Sequence, residues 1–77
     1  MDIDTEKVDD AVLALLFLTS FENHGIVRAW KTQSWDVMNR LFEKGYMSDP
    51  RNKAKSILFT DEGRERSKEL FERLFCK

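Results

Sequence analysis

The chain has 77 residues, 42% of them hydrophobic and 12% aromatic, so a thin core hiding only roughly 60% of the unfolded surface has to be assembled from large side chains such as its six Phe and two Trp. One cysteine, Cys76, excludes an intrachain disulfide and reads as an incidental thiol, while the longest apolar run, Ala11 to Leu18, is far short of the roughly 20 residues that cross a bilayer. The net charge of −1 conceals an asymmetry: residues 1–24 hold one cation against six anions, and residues 25–77 hold twelve cations against eight anions, so an anionic partner is expected at the second part.

A first helix is expected to start at Asp4 or Thr5, either of which can accept from the free N–H groups of a first turn. Glu6, Asp9 and Asp10 then lie near the positive end of its dipole. Asp2, Asp4, Glu6, Asp9 and Asp10 precede the apolar run against Lys7 alone, the reverse of a secretory signal, and a cytoplasmic protein is expected. Helical spacing turns Val8, Ala11, Val12, Leu15, Leu16 and Thr19 toward the core. Leu13 and Phe17 fall on the other side with Phe21 near them, leaving an apolar remainder for the rest of the domain or a second copy of the chain to cover. These three are the candidate homodimer contacts.

Gly25 breaks the helical period, Ile26, Val27 and Trp30 suit a short strand, and Asn23 to Gln33 reads as extended. Ser34 is the expected cap of a second helix with Val37, Met38, Leu41 and Phe42 inside, ended by a left-handed Gly45. Tyr46 and Met47 begin a brief strand, Asp49 and Pro50 form a turn, and Ser56 to Thr60 return with Ile57 and Phe59 on one face. The tip carries Arg51, Lys53 and Lys55. Thr60 caps a last helix whose inner stripe is Gly63, Ser67, Leu70, Phe71 and Leu74, with Glu62–Arg66 and Glu69–Arg73 as i,i+4 pairs outside. The order helix, strand, helix, hairpin, helix predicts one α+β domain over residues 1–77, three helices with a two- or three-stranded antiparallel sheet.

Signals for chemistry are sparse. His24 is the only histidine and has no cysteine or second histidine at metal-ligand spacing, so no metal is expected. The three glycines are isolated and form no phosphate loop, and Ser34 and Thr60 are better used as caps than as nucleophiles. No catalytic residue, cofactor or small-molecule ligand is expected. Trp30 and Trp35 read first as core residues and otherwise as anchors for a protein partner or platforms for a base.

The segment "LFEKGYMSDPRNKAKSILFTDEGRERSKELFERLF", Leu41 to Phe75, resembles the second half of a MarR-type winged helix: helix end, Gly turn, strand, basic wing, strand, and a Thr-x-x-Gly helix start. The full length, including "RAWK", "WD" and "KAKSILFTDEG", is also similar to a family of small bacterial proteins of unknown function. The winged-helix resemblance implies a DNA-binding regulator. It would place Trp35, Asp36, Asn39 and Arg40 toward a major groove and Arg51, Lys53 and Lys55 beside a phosphate backbone. The extended reading of Asn23 to Gln33 leaves little room for the helix that usually precedes a recognition helix, and Asp36 and Glu43 put anions on the reading face. Two expectations therefore stand side by side: a regulator of double-stranded DNA acting as a homodimer, or an interaction module contacting its partners through the apolar remainder, Trp30 and Trp35.

Overall fold

The computed structural model describes residues 1–77 as α1 (Thr5–Leu18), β1 (Phe21–Asn23), β2 (Ile26–Trp30), α2 (Trp35–Glu43), β3 (Ser56–Leu58) and α3 (Asp61–Phe75). The fold is α+β, three helices on an antiparallel sheet of order β1-β2-β3. Two of the three expected side-chain caps are in place. Asp4 accepts from the N–H groups of Glu6 and Lys7, Thr60 accepts from that of Gly63, and Gly45 closes α2 at a φ of 84°, a value that favours a residue without Cβ. Ser34 has extended N-cap backbone but its side chain makes no cap bond.

The segment after α1 differs from the single strand expected there. Phe21–Asn23 pairs with Ile26–Trp30 through a two-residue turn in which His24 and Gly25 both have positive φ, 53° and 78°. Left-handed geometry at both central residues gives the turn a twist that matches its strands. The sequence signal was a pair of apolar positions, Phe21 and Ile26, flanking an Asn-His-Gly step. No helix lies between α1 and α2, and the hairpin occupies that stretch.

β3 joins the free side of β2, with Arg28 opposite Leu58, Ala29 opposite Ile57 and Trp30 opposite Ser56. Directly opposed residues share a face. Ala29 and Ile57 therefore point inward with Val27 and Phe59, whereas Phe21, Arg28, Trp30 and Leu58 form the outer face. The strand expected at Tyr46–Met47 is reduced to one bridging pair, Met47 with Phe59, extended by a hydrogen bond from Ser48 N to Leu58 O at 2.8 Å.

Twelve buried apolar residues make one core drawn from every helix and from β2 and β3. On α2 the inner residues are Val37, Met38 and Leu41, with Phe42 at the edge, as its period requires. On α1 the buried set is Asp9, Val12, Leu13, Ala14 and Leu16, whereas Leu15 is exposed. The predicted face is rotated because α3 and α2 both pack against α1, and the stripe they cover runs through positions 9, 12, 13 and 16. Leu13, expected at a homodimer surface, is 0% exposed and lies wholly in the core of the chain itself. On α3, Gly63 and Ser67 are buried where the helix presses on the Tyr46 backbone. A Cβ at Gly63 would fall on the Tyr46 carbonyl oxygen. Arg66 bonds Glu69 rather than Glu62, and Glu69 also receives Arg73 at 2.7 Å.

Candidate functional site

The cationic loop between Met47 and β3 is held by its own polar groups. Asp49 Oδ1 accepts from Arg51 N at 2.9 Å and its carboxylate receives the Arg51 guanidinium at 2.9 and 3.0 Å, an Asx turn closed by an ion pair. The contact keeps the Asp49 carboxyl below the usual carboxylate range, chiefly through the side-chain hydrogen bond, and raises Arg51 for the same reason. Pro50 is buried beneath them. Asn52 Oδ1 accepts from Ala54 N at 3.1 Å and from Lys31 Nζ at 2.8 Å, and Lys31 Nζ also donates to Asn52 O at 3.0 Å.

Lys31, the residue after β2, links that strand to the loop and to α2. Its N–H donates to Lys55 O at 2.9 Å, its ammonium holds the loop at Asn52, and the same nitrogen stands 5.9 Å from the centre of the Trp35 ring at the start of α2. Next to it Trp30 is 52% exposed and Trp35 57%, so neither tryptophan packs in the core as first expected. Trp30 projects from the outer sheet face, where Phe21 leans on its ring at 5.1 Å, and Trp35 is the first residue of a helix whose inner stripe begins at Val37. Arg28, on the same outer face, donates to Ser56 Oγ at 3.2 Å. Lys53 and Lys55 are exposed and make no ion pair. The structure thus sets Lys31 against Trp35 and the Asn52 loop, and Trp30 with Phe21 and Arg28 on the outer face of the sheet.

Arg40 is placed elsewhere. Its Nε and guanidinium NH₂ bond both oxygens of Asp9 at 2.8–3.0 Å, and Lys44 Nζ reaches Asp9 at 2.8 Å and Glu6 at 3.0 Å. Asp9 is 1% exposed. Burial raises its carboxyl, but the hydrogen bonds from Arg40 and Lys44 outweigh this and hold it below the usual range. Arg40 is raised, first by its hydrogen bond to Asp9. For Lys44 burial acts downward, and the bonds to Asp9 and Glu6 win. The side chain expected to read bases is therefore a tie between α1 and α2, with Asn39 half-buried beside it. The signal for this tie was a carboxylate inside the apolar stripe 9, 12, 13, 16.

Of the remaining candidate contacts, Phe17 is half-buried against Phe71 at 5.2 Å, and Phe21 is half-buried under Trp30. A groove of about 650 Å³, not foreseen in the sequence, runs between Phe17, Val27 and Phe59 and the α3 side chains Asp61, Arg64 and Lys68. Its charges alternate in sign. His24 stands exposed on the hairpin turn, and Cys76 is exposed just past the end of α3. No helix is long and apolar enough to cross a membrane.

The uncharacterized protein y4hR of Sinorhizobium fredii (strain NBRC 101917 / NGR234) is 53% identical over 77 residues, the whole of both chains. No solved structure matches the chain. The family described as a domain of unknown function (DUF6429) matches residues 4–77, the three helices and the sheet together, and the chain belongs to that family.

Proposed function

We propose that the chain is a non-catalytic nucleic-acid-binding protein that contacts phosphates with the Asp49–Lys55 loop, used as a wing. The observation that carries this reading is the fixed presentation of Lys53 and Lys55, exposed and without ion pairs, on a loop tied to Lys31 through Asn52. A pre-ordered loop loses little conformational entropy on binding, and its ammonium groups displace condensed counterions from a polyanion. The α2 face contributes less, because Arg40 is committed to Asp9 and both Asp36 and Glu43 are exposed.

The test is fluorescence anisotropy with labelled DNA, duplex and single-stranded, at low salt. Native protein is expected to bind with a log–log salt slope of about −2 to −3, and replacing Arg51, Lys53 and Lys55 together by Ala to abolish binding without unfolding the chain. Absence of binding to either form ends the reading.

A second reading, self-association, is favoured by the C-terminal turns of α1 and α3. Leu18, Leu74 and Phe75 are exposed there beside the chain of rings Phe17–Phe71–Phe75. A dimer doubles the cations available to one nucleic acid. Sedimentation is expected to show a dimer that Phe75→Asp converts to a folded monomer; a monomeric native protein removes this reading.

A further inference from the structure

The outer face of the sheet has a charged centre and an apolar surround. Along β2, Ile26, Arg28 and Trp30 turn outward, while Phe21 opposes Arg28 from β1 and Leu58 opposes it from β3. Arg28 is thus ringed by apolar side chains and is the only charge that the strands place on this face. From that arrangement we infer that the outer sheet face docks a protein partner, one that presents a single carboxylate between apolar side chains.

The face is open and already ordered. Ile26 is 45% exposed and Trp30 52%, whereas Ala29 and Ile57, on the inner face of the same strands, are 0% exposed. Phe21 leans on the Trp30 ring at 5.1 Å with an interplanar angle of 33°, which orients the indole. Arg28 Nη1 donates to Ser56 Oγ at 3.2 Å, so the guanidinium is held in place, and no carboxylate of the chain pairs with it. Its remaining N–H groups offer a planar fork that fits the two oxygens of a carboxylate. Tryptophan and arginine within a rim of apolar contacts that exclude water are the makings of an interface hot spot.

Arg28 decides the occupant. Were a second copy packed face to face about a two-fold axis through this centre, the two Arg28 guanidinium groups would oppose each other out of water, which is repulsive. To a nucleic acid the face offers one phosphate contact, a log–log salt slope of only about −0.7 to −0.9, where a polyanion calls for a row of cations. A carboxylate between apolar side chains satisfies the guanidinium and covers the ring around it. The inference is independent of the loop reading: Lys31, the residue after Trp30, bonds the Asn52 loop instead.

The experiment selects binders from a random-peptide library displayed on phage, with the full chain carrying Trp35→Phe as bait so that Trp30 is its only indole. Enriched peptides are expected to hold Asp or Glu between apolar residues and, once synthesised, to shift Trp30 emission. Measured by anisotropy of the labelled peptide, Trp30→Ala is expected to weaken binding at least about tenfold. A selection on Arg28→Glu is expected to enrich Lys or Arg in place of the acid, a reversal that a structural role for Arg28 would not produce. Arg28→Gln, which keeps a donor for Ser56, is expected to bind acidic peptides no better than their amide counterparts, and far-UV circular dichroism checks that each variant is folded. No enrichment, enrichment without an acid, or peptides that bind Trp30→Ala as they bind the native chain overturns the inference. So does quenching of Trp30 emission by oligothymidylate, which would assign the face to nucleic acid, or a native dimer that Arg28→Glu dissociates, which would make a second copy its occupant. Each of these outcomes leaves the loop reading standing.

Discussion

The molecule carries two clusters of opposite charges with opposite fates. At the α1–α2 contact, Arg40 and Lys44 close on a carboxylate that is 1% exposed. In the loop before β3, Arg51 closes on Asp49, a partner that remains open to water, and Lys53 and Lys55 close on nothing. The ion types are the same and the distances nearly so, 2.8 Å for Arg40–Asp9 and 2.9 Å for Arg51–Asp49. Burial makes the difference. A carboxylate withdrawn from water is strongly destabilising once its partners are removed, whereas an exposed pair is screened and contributes little. Cations of the first kind are structural, and cations of the second kind are available to a ligand.

The largest effect follows from emptying the buried cluster. Asp9→Ala is expected to lower the unfolding free energy by about 3 kcal/mol, leaving Arg40 without its acceptor and Lys44 with Glu6 alone, and a urea or thermal melt measures it. The Asp9 carboxyl is held below its ordinary value of 3.8 in the folded chain, so its contribution is fully present above that pH and is lost as pH falls through the lower folded value. The stability gap between native protein and variant should accordingly be constant near neutrality and shrink below pH 3.8. A gap that is small at pH 7, or that widens in acid, would show that burial does not separate the two clusters as argued.

A smaller effect of opposite kind is expected in the loop. Asp49→Ala removes the only anion of the wing and frees Arg51, so nucleic-acid binding should tighten about two- to fivefold and the salt slope steepen by up to about one, while the melting midpoint stays unchanged. A loss of stability comparable with that of Asp9→Ala would mean that the Asx turn, rather than solvated charge, governs the loop. Together the two variants separate structural from functional charge within one chain.

The local grammar was legible in the residues. Asp4 and Thr60 cap helices, Gly45 ends one, Val37, Met38 and Leu41 face inward, Ile57 and Phe59 share a buried face, and the chain reverses after Asp49–Pro50. These follow from periodicity and turn chemistry, which act over a few residues. What failed depended on contacts between distant segments. Helical spacing alone puts Leu13 at the surface, but the apolar set on α1 is wide enough to suit two faces, and α2 and α3 select the one containing Asp9. Nothing within its own helix shows that Asp9, 31 positions earlier, lies opposite Arg40, so the local pattern leaves Arg40 free for a base contact. Hydrophobicity alone favours burial of Trp30 and Trp35. Their exposure follows from strand facing and helix phase, fixed only when β2 took its place between β1 and β3.

By itself, then, the sequence determined the caps at Asp4 and Thr60, the turns, the inner stripe of α2, that of α3 except Leu74, which is exposed, and the basic character of one loop, because those depend on backbone geometry and neighbouring residues. Only the tertiary structure decided which cations are spent on a buried carboxylate and which remain free in an exposed loop. That division is set by water exclusion across segments far apart in the chain, and no local pattern records it.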